Sequence, residues 1–157
     1  MNAPLRPNSE KQKVIAWTLV AVWAVFIFAA SATSGYDFEM GSGPFALLRR
    51  WLVDVLSSAM GHPVDPSPIG HFTEYFVFGA LLMNALRMHV RPSRAAWGAI
   101  AIAAAYAVTD EFHQLFVPGR ACDPADWLVD VSAAAIAVLV YMLVYALVAK
   151  RRLQFED

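Results

Sequence analysis

Four stretches of the chain are mainly apolar, and shorter polar segments separate them. They cover residues 14–32, 69–86, 96–117 and 127–149. A helix needs roughly 20 apolar residues to cross the hydrocarbon core of a bilayer. The pattern therefore predicts an all-α membrane protein with a bundle of four transmembrane helices in residues 14–149. A lead-in at 1–13 and a basic tail at 150–157 flank this membrane domain.

A fifth pattern lies inside the long loop between the first two stretches. After Gly43-Pro44, apolar residues recur at steps of three and four as far as about residue 60. The apolar positions are Phe45, Leu47, Leu48, Trp51, Leu52, Val55, Leu56 and Met60. This spacing predicts an amphipathic helix over about 44–60. This helix either lies on the outer leaflet of the membrane or caps the bundle. The alternative is a packed surface helix with no role of its own.

Composition supports a membrane protein and excludes several other classes. Hydrophobic residues make up 59% of the chain and charged residues 16%, whereas a soluble domain has about 45–50% and about 25%. The single cysteine, Cys122, rules out an internal disulfide framework. A net charge of −1 leaves no basic face for phosphates, so no nucleic-acid partner is expected.

Basic residues are concentrated on one side of the predicted bundle. The two termini and the loop 87–95 carry Arg6, Lys11, Lys13, Arg87, Arg91, Arg94, Lys150, Arg151 and Arg152. Cytoplasmic loops are enriched in Lys and Arg, so both termini are predicted to be cytoplasmic. Ala30-Ser31-Ala32 also fits a signal-peptide cleavage site, but the apolar run before it is long for a signal peptide. Retention of residues 1–32 is therefore favoured over cleavage.

Ionisable and polar residues cluster at the helix ends that this topology places on the outer side. They are His71, Glu74, Tyr75, Asp110, Glu111, His113, Gln114, Arg120, Asp123, Asp126 and Asp130. On each helix they share one face, and a charged group at membrane depth costs a few kcal/mol. The pattern predicts a polar binding pocket in the outer leaflet. The alternative is an internal network of ion pairs and hydrogen bonds that only fixes helix packing.

Three kinds of chemistry can be compared with this cluster. Asp110, Glu111 and His113 are candidate general acids or bases, because burial and crowding raise carboxylate pKa values. The possible ligands for a divalent metal are His71, Glu74, Glu111 and His113. No cofactor is expected. The H-E-x-x-H zinc motif and the G-x-S-x-G nucleophile motif are both absent from the sequence.

Two segments resemble the motifs of the VanZ-like family. The first is Gly70-His71-Phe72-Thr73-Glu74-Tyr75-Phe76-Val77-Phe78-Gly79. The second is Thr109-Asp110-Glu111-Phe112-His113-Gln114-Leu115-Phe116-Val117-Pro118-Gly119-Arg120, followed by Asp123, Asp126 and Asp130. The resemblance covers roughly residues 68–140. It departs at Ser67-Pro68, where the family often has Asp-Lys, at Asp130 in place of a frequent Asn, and near Ala133 in place of a glycine.

The resemblance implies a four-helix protein of the bacterial cytoplasmic membrane, in a family associated with resistance to the glycopeptide teicoplanin. Three functions stay open: a pocket that binds or transports the head group of a membrane lipid or envelope precursor, an enzyme acting on such a head group, and a structural protein. In this region Arg120 is expected to be the neutralising cation among several carboxylates. A cationic, zwitterionic or metal-bridged head group is therefore favoured over a bare anion.

Overall fold

The computed structural model describes residues 9–32, 44–64 and 67–154. Within these ranges the chain forms five α-helices and no strand, which confirms the predicted all-α class. They are α1 (Glu10–Ser31), α2 (Pro44–Met60), α3 (Ser67–Leu86), α4 (Pro92–Gln114) and α5 (Pro124–Gln154). Parts of the predicted lead-in, first loop and tail, at 1–8, 33–43, 65–66 and 155–157, lie outside the described residues.

The helices begin where the sequence satisfies their free N–H groups. At α1, Ser9 and Gln12 form a capping box in which each side chain accepts from the other's backbone N–H. At α5, Asp123 precedes Pro124, and its carboxylate accepts from the Ala125 N–H at 2.8 Å. Proline suits the first position of a helix, because the N–H that it lacks has no partner there. α4 also begins with a proline, Pro92.

α3 lies at the centre of the bundle, in contact with α1, α4 and α5, while α5 also packs along α4. The closest approach is at Gly79, where a Cβ atom would stand 2.8 Å from both Cα and O of Ala134. Small buried residues continue this close packing. They are Ala95, Ala99, Ala103, Ala107, Ala133, Ala134 and Ala137. Among the described residues, α2 packs against none of the other helices.

Many large apolar residues of the bundle lie on its outside, while alanines and polar residues make up much of its buried interior. Exposed apolar side chains on α1 and α5 include Val14, Ile15, Val22, Val25, Leu128, Leu139, Leu143 and Leu147. Such a surface cannot face water over this area, but it suits lipid, where helices pack through small residues. Of the described helices, Glu10–Ser31 and the part of α5 at Pro124–Arg151 are long and apolar enough to cross a membrane.

Three side-chain hydrogen bonds tie α1 to the rest of the bundle. The Trp23 indole donates to the backbone oxygen of Glu74 at 2.9 Å, and the Tyr106 hydroxyl donates to the backbone oxygen of Ala24 at 2.7 Å. At the other end of α1, the Trp17 indole donates to Nε2 of His89 at 3.1 Å. The first helix is thus bonded to α3, to α4 and to the turn between them.

Candidate functional site

A buried His–Asp pair joins α3 to α5. Nδ1 of His71 lies 3.1 Å from Oδ1 and 3.4 Å from Oδ2 of Asp130, and both side chains are buried. A nitrogen lone pair and a carboxylate oxygen repel each other at this distance, so a proton lies between them and Nδ1 donates. Nε2 points to Asp126, whose Oδ2 is 3.8 Å away, too far for a hydrogen bond.

A second contact ties the end of α4 to the beginning of α5. Oε2 of Glu111 accepts from the backbone N–H of Asp123 at 2.8 Å. The chain reaches this position through a turn in which Gly119 has a φ of 76°, a conformation that favours glycine. Oε1 of Glu111 is buried and has no hydrogen-bond partner within the described part of the chain. One half of this carboxylate is therefore fixed, and the other half is left without a donor.

Asp110 faces a different set of neighbours from Glu111. Its side chain is buried, and neither carboxylate oxygen has a hydrogen-bond partner among the residues that the structure describes. Ser31 and Gln114 lie close enough to stabilise its charge, but neither meets the distance and angle of a hydrogen bond to it. Ser31 Oγ and Gln114 Nε2 also lack partners there. Ser31 was not predicted as a site residue, and the one sequence signal for it is its place at the outer end of an apolar helix.

The remaining predicted residues surround this centre. Tyr75 is buried, and its hydroxyl has no partner within the described ranges. The His113 ring stacks on Phe28 with 4.3 Å between ring centroids. Glu74 and Arg120 are half-buried. The structure thus brings the predicted residues to one end of the bundle, with His71 and Asp130 at the centre and His113 on the α1 side.

Among the described residues, two groups of side chains offer metal-ligating atoms that lie within 4.8 Å of one another. One consists of His71, Asp110 and Asp130, and the other of His71, Glu111 and Asp126. Glu74 and His113, which the sequence offered as possible ligands, belong to neither group among the described residues. Asp126, which the sequence placed in the pocket but not among the ligands, belongs to the second.

The chemistry available at this end of the bundle follows from its charges. The carboxylates of Glu74, Asp110, Glu111, Asp126 and Asp130 lie at or near it. Arg120 acts on Glu74 as a cation, and His71 does so when its ring is protonated. Such a set attracts cations, and it places a carboxylate-oriented imidazole beside further carboxylates. Proton transfer and divalent-metal binding are both within the reach of these groups.

Comparison with known proteins gives one result. A family model described as VanZ/LLP1 matches residues 15–145, which is most of the chain. No curated protein and no solved structure matches. The match includes the two motif segments and extends to most of α1, which lies outside the stretch that resembles the family motifs. Together with the apolar helices, it shows that the chain is a membrane protein belonging to the VanZ/LLP1 family.

Proposed function

We propose that this protein crosses the bacterial cytoplasmic membrane four times and binds the polar head group of a lipid or envelope precursor at its outer face. The observation that carries the proposal is a group of buried polar atoms that have no hydrogen-bond partner among the described residues. They lie on Ser31, Tyr75, Asp110, Glu111, His113 and Gln114. Each such atom costs about 1–3 kcal/mol when it stays unsatisfied. A ligand that supplies hydrogen bonds or positive charge there offsets that cost.

Packing supports a passage of all four long helices through the bilayer. α3 has 20 residues and α4 has 23, lengths sufficient for a membrane crossing. Both pack against α1 and α5, and α4 exposes large apolar side chains such as Trp97, Val108 and Phe112. The hydrogen bonds of Trp23 and Tyr106 also favour retention of α1 in the mature protein.

The distribution of charge supports the orientation. The basic residues at the termini and in the turn between α3 and α4 favour a cytoplasmic location for that end. The cluster then faces the outer leaflet, with Asp130 about 9 Å along α5 from its first residue, at 1.5 Å per residue. α2, with exposed Leu47, Trp51 and Val55, is suited to lie on the same outer surface.

The surplus of carboxylates supports a particular class of ligand. A cationic or zwitterionic head group meets favourable charge there, whereas a bare phosphate needs Arg120 or a bridging cation. Family membership adds the association with teicoplanin resistance. Expression of the protein in a susceptible bacterium is accordingly expected to raise the inhibitory concentration of teicoplanin, and the Asp126→Asn variant to lose the effect.

A second candidate function is catalysis on the same head group. The His71–Asp130 hydrogen bond favours it, because a carboxylate that orients an imidazole is a common acid–base arrangement. Asp110, Glu111 and His113 stay candidate catalytic groups. Release of the head group from a labelled lipid by wild-type protein, and not by His71→Gln, would favour the enzyme over a binding protein.

Binding to defined lipids tests the proposed function directly. Purified protein is placed in nanodiscs that contain phosphatidylethanolamine, phosphatidylglycerol or a polyprenyl-phosphate-linked precursor, and bound lipid is measured by native mass spectrometry. We expect retention of one of these lipids, with at least tenfold weaker retention in Glu111→Gln and Asp126→Asn. Asp54→Asn, at an exposed position on α2, is the matched control and should bind as the wild type does. Equal retention by all variants would contradict the proposal.

A further inference from the structure

Three helices contribute one ligating atom each to a common point at the outer end of the bundle. A nitrogen of His71 on α3, an oxygen of Glu111 on α4 and an oxygen of Asp126 on α5 lie within 4.8 Å of one another. Bonds of about 2.0–2.2 Å between zinc and such atoms place neighbouring ligands about 3–4 Å apart. The three atoms lie up to 4.8 Å apart, so a bound ion would have to draw them closer together.

The side chains around this point hold two of the ligands in a suitable state. Because Nδ1 of His71 donates to Asp130, Nε2 is the nitrogen that an ion would bind, in place of any proton there, and it faces Asp126. A carboxylate behind a histidine is the usual arrangement for fixing the tautomer of a metal ligand. Glu111 is held in the same way, by the backbone N–H of Asp123 on one of its oxygens.

The buried oxygen Oε1 of Glu111 is a second, independent observation that points to a cation. Only 4% of Glu111 is exposed, and Oε1 has no hydrogen-bond partner in the described residues. A lone pair on His71 and two carboxylates at close range repel one another unless a cation or a proton lies between them. The side chain of Asp126 is 19% exposed, which gives an ion a way in from the outer surface.

The other group of ligating atoms competes for the same histidine. His71, Asp110 and Asp130 also converge, but there Nδ1 already donates its proton to Asp130. A ring nitrogen that carries a proton has no lone pair for a metal. The group of His71, Glu111 and Asp126 is therefore the one left available to an ion.

We infer that His71, Glu111 and Asp126 form a site for a divalent metal ion such as Zn²⁺ or Mn²⁺. One imidazole and two carboxylates suit these ions and leave coordination positions open. The ion would neutralise the carboxylates that otherwise repel a phosphate. If the proposed function holds, an oxygen of the head-group phosphate occupies one of the open coordination positions of the ion. This last step rests on the proposed function.

Metal binding by the full chain in detergent tests the site without any assay of activity. The protein is stripped with a chelator, titrated with Zn²⁺ and with Mn²⁺ by calorimetry, and its metal content is measured by mass spectrometry. We expect one ion per chain, with at least tenfold weaker binding in Glu111→Gln and Asp126→Asn. Asp130→Asn, which changes a positioning residue, should weaken binding by about 10–100-fold. Glu74→Gln, in the same cluster but outside the three ligands, should stay within threefold of the wild type.

Two results would overturn the site. One is a wild-type protein that binds neither ion, and the other is an equal loss in Glu74→Gln and Glu111→Gln, which would indicate unspecific attraction to acidic residues. Thermal melting checks that each variant is folded. Asp126→Glu, which keeps a carboxylate, should retain part of the affinity if Asp126→Asn proves unstable, and complete loss in a folded Asp126→Glu would contradict a ligand role.

The proposed function and the metal site can fail separately. If stripped protein retains the same lipid as strongly as loaded protein, the ion has no part in head-group binding, and the proposed function stands. If the protein binds one ion at the three residues but retains no lipid in either state, the proposed function fails and the metal site stands.

Discussion

At the scale of single residues, Asp110 is a deeply buried carboxylate. It is 3% exposed, and both its carboxylate oxygens lack hydrogen-bond partners among the described residues. Buried polar groups that stay unsatisfied lower stability, and charged ones do so most. A residue kept in this state at a cost in stability is typical of a functional site rather than of a structural network.

We therefore predict that Asp110→Asn stabilises the protein and weakens head-group binding. Replacing the carboxylate with a neutral amide removes a buried charge and should raise the free energy of unfolding by about 1 kcal/mol. For a chain of this length the melting temperature would rise by about 2–4 °C. Thermal melting in detergent measures the shift, with Asp54→Asn as the exposed control. A lower melting temperature would indicate that Asp110 has a structural role.

The sequence predicted the membership of the cluster better than its internal order. Helical phase placed Asp126 and Asp130 on one face, and the structure directs both carboxylates to His71. Helical phase does not determine which of the two carboxylates lies closer to His71. That distance depends on the axial offset between α3 and α5. Ser31 could not be selected for the same reason, since only the packing of α1 brings it near Asp110.

At the scale of helices, the contact between α3 and α5 depends on one position without a side chain. A Cβ at Gly79 would meet backbone atoms of Ala134, which cannot move without shifting α5. Close approach of helix backbones through small residues is a main source of stability in membrane bundles. His71 and Asp130 lie on these same two helices, so the spacing at Gly79 also sets the geometry of the site.

We predict that Gly79→Ala lowers the free energy of unfolding by about 1–3 kcal/mol, because the added methyl group overpacks this contact. Gly70→Ala is the matched control, since a Cβ there has no neighbour within 4 Å. It should leave stability unchanged or raise it slightly, because alanine favours a helix more than glycine does. Thermal melting of the two variants compares them. Equal melting temperatures would mean that α3 and α5 are further apart than described.

Helix positions followed from the apolar pattern, whereas helix ends did not. The predicted segment 96–117 corresponds to α4 at Pro92–Gln114, which begins at a proline before the apolar run and ends before Val117. Prolines and caps set these ends, and they lie among polar residues that a hydropathy pattern ignores. The helix predicted at about 44–60 is present as α2. It could be predicted because its apolar residues recur with the helical period and form one face.

At the scale of the whole molecule, the orientation in the membrane determines which leaflet the cluster faces. Cys122 reports on it, because this exposed cysteine lies between α4 and α5 beside the cluster. We predict that a membrane-impermeant maleimide labels Cys122 in intact spheroplasts. Local desolvation and the nearby carboxylates of Glu111 and Asp123 raise the pKa of its thiol, so labelling should be faster at pH 8 than at pH 7. Labelling only after lysis would place the cluster on the cytoplasmic side.

Cys122→Ser is the control for this labelling and should give no signal. Moving the single cysteine to the other end of the bundle, as Cys122→Ser with Ser93→Cys, should reverse the result, because Ser93 lies in the first turn of α4 at the predicted cytoplasmic end. The two chains together distinguish a reversed topology from poor access to Cys122.

The central claim is that the outer end of the bundle holds a polar ligand among its buried carboxylates. A structure determined experimentally in lipidic cubic phase, with native lipid retained during purification, tests it most directly. We predict density beyond the protein atoms that contacts Glu111 and Asp126 and continues outward as a head group. A cluster closed on itself, in which Asp110 and Glu111 are satisfied by protein side chains or water alone, would contradict it.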